Sequence, residues 1–380
     1  MRHRPQGLVS NPDWETSQKR YETFWDREVL DRPLVQITTS QRGMEPAPPE
    51  YMPPGDEAGL RRWFTDPELV LPRLSWQARA TYYAGDAFAL ALPVSGGLVA
   101  ILAAYLGCPY RVVPGSGSAW ADPIIEDWDR RPGFAFSSDN EWWQLSRRLL
   151  EAAAEAGAGR YLTGIPDLQG DGQIVALLRG TQRLALDMVE CPEGVKAALA
   201  EVNAVWLSYW RECNRIIGSE AQGYVDWLGV WSKTPAVTLE CDFSCLISSR
   251  MFNEVFLPGI AQQTQWVPRT IYHLDGPGAV RHLDALLGLE QLNGIQWVPG
   301  AGAAPMTQWV PLLRRIQAAG KLLVADCEGS EVLPLLSQLR PEGLLLSTRC
   351  GSEEEADELL AQVERQSMGR RRRRPASGPR

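Results

Sequence analysis

Histidine is scarce in this chain of 380 residues: only His3, His273 and His282 are present. Long apolar runs are missing as well. The most apolar stretch, 87–106, is interrupted by Pro93, Ser95, Gly96 and Gly97, and it lacks the roughly 18 to 20 uninterrupted apolar residues of a membrane helix. The first residues, Met-Arg-His-Arg-Pro-Gln-Gly, carry no apolar signal region, so the expectation is a cytoplasmic protein that does not act in a membrane. The glycine-containing segment 170–180 has neither the Lys-Ser/Thr of a phosphate-binding loop nor the spacing of a dinucleotide fingerprint. A nucleotide cofactor is therefore not expected.

What is present describes a globular chain. Hydrophobic residues make up 44% and charged residues 22%, which is ordinary for a folded protein and not for a disordered one. The net charge is −8, and the last twelve residues contribute six arginines, so the remainder stands at −14. So acidic a body argues against nucleic acid as a partner. The seven cysteines are odd in number and scattered at 108, 191, 213, 241, 245, 327 and 350, which reads as free thiols. A small-molecule substrate is the expected partner, and a second copy of the chain is a further candidate.

Strand-like runs occur at 34–39, 87–92, 161–165, 224–230, 237–242, 271–275, 294–298, 321–326 and 343–348. From 87 onward there are eight, most separated by helical patterns at 140–156, 172–189, 193–217, 249–265, 279–287, 306–319, 330–339 and 353–366. Alternation of this kind implies a parallel sheet, and a count of eight implies an α/β fold of the (β/α)8 TIM-barrel type. The expected organisation is an N-terminal extension and loop at 1–60, with a helix at 14–25, then a barrel at 61–367. A disordered basic tail at 368–380 completes it.

Catalytic groups on such a barrel belong at the C-terminal ends of the strands. Those ends carry Asp167, Trp231, Glu240, Cys241, Asp242, His273, Asp275, Trp297, Cys327, Glu328 and Cys350. His273 and Asp275 stand two apart on a strand that enters a Gly-Pro-Gly turn, so they share a face. Three uses are open for them. With a thiol from Cys350, or from Cys241, they could ligate zinc. They could instead act directly on substrate as acid and base with Asp242 or Glu240 assisting, or they could be structural. Arg179 and Arg281 are candidate carboxylate anchors or structural cations, and Trp227, Trp231 and Trp297 could line a pocket.

Several stretches carry a family likeness. Cys-Asp-Phe-Ser-Cys-Leu-Ile-Ser-Ser-Arg-Met-Phe-Asn-Glu-Val-Phe-Leu-Pro at 241–258, Tyr-His-Leu-Asp-Gly at 272–276 and Leu-Asn-Gly-Ile-Gln-Trp-Val-Pro-Gly at 292–300 are three of them. Cys-Gly-Ser-Glu-Glu-Glu-Ala at 350–356 and Leu-Leu-Arg-Gly-Thr-Gln-Arg-Leu-Ala-Leu-Asp at 177–187 are the others. Together they make the chain, over about 60–366, resemble the uroporphyrinogen decarboxylase superfamily. That resemblance implies a (β/α)8 barrel and either decarboxylation or zinc-dependent methyl transfer between a thiol and a separate corrinoid protein. In the methyltransferase branch zinc is held by a His-x-Cys pair and a distant Cys. His273 matches the first, Cys350 matches the last, and Asp275 stands in place of the middle thiolate, which makes a harder site. The arginine-rich segment with which the decarboxylases grip carboxylates has no counterpart before residue 60. The likeness therefore points to the methyltransferase side, with a carboxylate-processing lyase or a non-catalytic binding barrel as alternatives.

Overall fold

The computed structural model describes residues 8, 10–94, 98–115 and 118–373. Eleven strands are present among them: β1 (Leu34–Ser40), β2 (Thr81–Gly85), β3 (Leu90–Ala91), β4 (Tyr110–Val113), β5 (Ser118–Ala121), β6 (Leu162–Thr163), β7 (Ala236–Glu240), β8 (Arg269–Asp275), β9 (Gly294–Val298), β10 (Leu322–Asp326) and β11 (Leu344–Arg349). The main sheet has the order β2-β1-β11-β10-β9-β8-β7, parallel except where β2 runs against β1. β3 and β6 form a separate parallel pair, and β4 and β5 an antiparallel hairpin. The fold is α/β, with helices covering the outer faces of the parallel strands. No helix among the described residues is long and apolar enough to cross a membrane.

Side-chain alternation sorts the two faces. Leu34, Ala236, Ile271, Leu322, Val324 and Leu345 join one inner cluster, together with Phe88 and Leu162 from beside and within the short pair. Their neighbours Val35, Leu239, Tyr272, Leu274, Ile295, Leu323 and Leu346 join the outer core under the helices. Strands from both ends of the main sheet thus share one interior, and the sheet curls on itself.

Its hydrogen-bonded ladder does not close into eight continuous strands. β3 and β6 are two residues each, and aspartate side chains act where longer strands were expected. Asp86 donates its backbone N–H to the Val35 carbonyl at 2.8 Å, and its carboxylate accepts from the Val35 N–H at 3.1 Å. On the far side, Ile165 N–H bonds the Val225 carbonyl at 3.3 Å, and the Asp226 carboxylate accepts from Thr238 N–H at 2.6 Å. The expected strand at 224–230 is replaced by turns with a single bridge between Tyr224 and Ser232. Gly223 and Gly229 take φ of +93° and +71°, which breaks extended geometry.

Other boundaries move for similar reasons. The helix expected over 172–189 is two, Asp171–Arg179 and Thr181–Glu190, divided at Gly180 with φ +89°. The helix Pro67–Ala80 gives way directly to β2. β1, from the stretch expected to lie outside the barrel, pairs with β11 in the heart of the sheet. The last helix runs Glu353–Arg373, past the expected boundary at 367; His3 and the end of the basic tail, 374–380, lie outside the described residues.

The helix Trp14–Trp25 closes the N-terminal end of the interior. Trp14, Tyr21, Phe24 and Trp25 bury themselves in the inner cluster beside Phe88 and Trp231. Asp86, fully buried, ties this cap to the sheet by pairing with the buried Arg32 and with Arg20, whose other nitrogens hold Asp31 at 2.6–2.7 Å. Removing one partner of a buried ion pair strands the other, at a cost of about 3–5 kcal/mol. Asp86→Ala is therefore expected to lower unfolding free energy in urea by that amount; a loss below about 1 kcal/mol would show that the arginines find water instead.

Candidate active site

The register of β7, β8 and β9 builds the site. Glu240 lies beside His273, and His273 beside Gln296. All three occupy inner-face positions, because Leu239, Tyr272, Leu274, Ile295 and Trp297 on either side belong to the outer core. On β10 and β11, Asp326 stands beside Ser347. The row crosses the interior just above the apolar cluster, at the C-terminal end of the strands.

A chain of hydrogen bonds fixes the imidazole. His273 Nδ1 is 2.6 Å from Gln296 Oε1, and Gln296 Nε2 is 3.3 Å from Asp326 Oδ2. A carboxylate can only accept, so Asp326 turns the amide nitrogen toward itself and the amide oxygen toward the ring. An amide oxygen also only accepts, so Nδ1 carries a hydrogen, and in the neutral ring the lone pair is then on Nε2. The indole of Trp227 meets the ring edge-on, centroids 5.2 Å apart.

Opposite this relay sits a group of acids. Among the described residues, Glu240, Asp242 and His273 form a set of His, Cys, Asp and Glu side chains whose donor atoms all lie within 4.8 Å of one another. Glu240 is 5% exposed, and its Oε1 has no hydrogen-bond partner. Burial first, then the charges of Asp167 and Asp242, push its carboxyl well above the ordinary range. Asp167 touches Glu240 from the loop after β6 and is itself raised by burial. That loop passes so close to β7 that a Cβ on Gly170 would stand 2.2 Å from the Glu240 carbonyl, and Gln169 beside it takes φ of +54°. Such geometry in a non-glycine residue marks a position held in place by its surroundings.

The other expected residues are distributed as follows. Asp275 lies on the same inner face two residues above His273, exposed at the rim. Glu328 is at the mouth, at the start of the helix Gly329–Gln338, where its N–H donates to the Glu331 carboxylate. Cys327 and Glu328 line an open cavity of about 470 Å³ with Thr38, Asp326, Ser347 and Arg349. Arg281 is on the exposed rim, bonded through Nε to the Gly278 carbonyl. Arg179 is remote, in an ion pair with Asp187.

Four expected residues are placed away from His273 by strand parity and position. Cys350 falls on the outer face with Leu344 and Leu346, packed near Gly329 and Leu359, and burial raises its thiol pKa. Cys241 follows Leu239 outward by the same parity, with its sulfur against Gly172 and Phe256. Neither thiol joins His273, so the set His273, Asp275 and Cys350 is not assembled. Trp297 also faces outward, fully buried against Trp309 at 4.9 Å. Trp231 is at the opposite, N-terminal end, stacked edge-on to Trp14. Gln296 and Asp326 were not among the expected site residues; Trp227 was expected only as a pocket-lining aromatic near a strand end, and it stands against His273. Alternation from His273 and the register of the next two strands would have found the first two; the placement of Trp227 depends on a turn that no local signal specified.

Comparison with known proteins adds the fold. No protein-family model and no curated protein matches the chain. Among solved structures, a methyltransferase from Methanosarcina mazei superposes with a TM-score of 0.58 at 12% identity, over 92% of this chain and 98% of that one. At that identity the two share an architecture.

Two predictions follow from these buried groups. With only three histidines, the imidazole 15N signals can be resolved: His273 is expected as the Nδ1–H tautomer, and Gln296→Leu should shift it toward a mixture with Nε2–H. Unchanged signals would mean the amide does not set the tautomer. Asp171, fully enclosed at the start of its helix beside Gly259, has its pKa pushed up to about 7 by burial. A carboxyl raised in the folded state costs nothing below its unfolded pKa near 3.8, and the cost grows as pH climbs to about 7, reaching about 4 kcal/mol. Asp171→Asn should therefore raise the melting temperature at pH 8 and leave it nearly unchanged at pH 3.5; equal effects at both values would contradict this origin.

Proposed function

We propose that this chain is a (β/α)8-type enzyme of the methyltransferase kind, acting on a small molecule at the C-terminal mouth of the strands. The observation that carries the reading is the convergence of Glu240, Asp242 and His273 at the ends of β7 and β8, in an architecture shared with a protein named as a methyltransferase. The methyl acceptor in this reading is a thiol or hydroxyl, and the donor is a corrinoid carried by a separate protein.

The chemistry requires an acceptor anion beside a methyl group. Asp275, on the rim above His273, takes the acceptor's proton. A corrinoid held by its own protein would supply the methyl group to that anion and keep the electrons of the bond it gives up. Gln296 and Asp326 hold the imidazole in one tautomer, and Trp227 walls it on one edge. Zinc bound by thiolates, as the family resemblance implies, does not suit the residues present, since no cysteine sulfur converges with His273. The donors that do converge are one imidazole and two carboxylates.

Charge weighs against a carboxylate-processing lyase. Asp167, Glu240, Asp242, Asp275 and Asp326 lie about the C-terminal ends of the strands; among the described residues Arg349 and the rim residue Arg281 bring guanidiniums there, while Arg269, on the same strand as His273, is at the far end in an ion pair with Glu22. A polycarboxylate would enter against that field.

The test is demethylation of methylcobalamin, followed by absorbance, with a panel of small thiols and phenols as acceptors. Acceptor-dependent turnover is expected, and Asp275→Asn and His273→Ala should each lower it by about 10²-fold or more. Turnover unaffected by both variants, or no turnover alongside release of CO2 from a carboxylated substrate, would overturn the reading.

A further inference from the structure

We infer that Glu240, Asp242 and His273 form a binding site for an oxygen-preferring divalent cation of the manganese or ferrous type, in place of a thiolate-bound zinc. The inference concerns binding and does not depend on methyl transfer.

Three observations carry it. First, the spacing suits one ion. The three donor atoms lie within 4.8 Å of one another; metal–ligand bonds of about 2.0–2.3 Å separate donors on one ion by at most about 4–4.6 Å, so small side-chain rotations bring all three onto one cation. Second, a buried polar atom lacks a partner: Glu240 is 5% exposed and its Oε1 accepts no hydrogen bond. Buried carboxylate oxygens are nearly always satisfied, and a cation between Glu240 and His273 supplies what the protein does not. Third, the imidazole is prepared for it. Asp326 and Gln296 leave the lone pair on Nε2, the outer-shell arrangement by which ligating histidines are oriented.

Donor chemistry selects the ion. Thiolates favour zinc and cuprous copper, whereas carboxylates suit magnesium, manganese and ferrous iron, and imidazole adds preference for the transition metals among them. Here no thiol belongs to the convergent set: the two expected as ligands are turned away, Cys241 against Gly172 and Phe256 and Cys350 near Gly329 and Leu359. Three protein ligands also leave positions open for a substrate atom and water, as catalytic sites do. Asp167, in contact with Glu240, is a further carboxylate beside the site, and its ionised form would attract a cation without needing to ligate it.

The experiment is titration of the chelator-treated full-length chain with Mn2+, with free Mn2+ read by electron paramagnetic resonance and competition by Mg2+ and Zn2+. One Mn2+ per chain is expected. Glu240→Gln and His273→Ala should weaken it at least 10-fold. Asp242→Asn, at an exposed position that tolerates substitution, gives the same loss in a chain whose folding is checked by circular dichroism. Cys350→Ser and Cys241→Ser should bind as the unaltered chain does. Absence of saturable binding, binding that survives Asp242→Asn and Glu240→Gln together, or binding of Zn2+ alone that Cys350→Ser abolishes would each overturn the site. Stoichiometric Mn2+ without methyl transfer would instead leave the site standing and remove the functional reading; methyl transfer by a chain that binds no cation would do the reverse.

Discussion

Burying a carboxylate is costly unless the protein supplies donors or an opposite charge, and this chain buries several around one interior. How each is compensated divides structure from function. Asp86 is neutralised by Arg20 and Arg32 and caps the sheet where β1 leaves it. Asp226 is satisfied by two backbone N–H groups and the Thr238 hydroxyl. Both therefore serve as struts, carrying the hydrogen-bond circuit across places where strands are too short to do so. Glu240 has neither a cation nor a full set of donors. Its cost is held in place by the surrounding framework, and that is the mark of a group kept for a ligand.

The arrangement works because the two ends of the interior are kept distinct. The N-terminal end is filled by aromatic rings from the first helix and by Trp231. The next inner layer is polar and held by side chains on rigid strands, with the relay from Asp326 through Gln296 to His273 running perpendicular to them. Strands hold side chains to tighter tolerances than loops do. Asp167, from the loop after β6, and Asp242, at the start of the 3-10 helix Asp242–Leu246, border the site beyond the strand ends.

Much of this was legible in the sequence. The β-branched and aromatic run ending in His273 and Asp275 is a strand with both residues facing inward, and 294–298 is a strand over its whole expected length. Alternation also held the answer for the cysteines. Leu344 and Leu346 must face the helices, so Cys350 does too; the family pattern of ligands pointed the other way, and parity decided the matter. The same rule turns Cys241 and Trp297 outward. What could not be read were features set by distant contacts. The glycines at 180, 223 and 229 divide a helix and cancel a strand, and the hairpin of β4 and β5 and the helix Glu57–Thr65 carry weak local signals. Trp227 reaches His273 only because that cancelled strand became a turn.

The central claim is that the ends of β7 and β8 assemble one cation-binding group from Glu240, Asp242 and His273. Anomalous diffraction from crystals of the full chain grown with Mn2+ tests it most directly. The account predicts a single strong peak in contact with all three side chains, with Gln296 still hydrogen-bonded to the imidazole. A peak at Cys350 or Cys241, or density elsewhere with these three side chains turned apart, would contradict it.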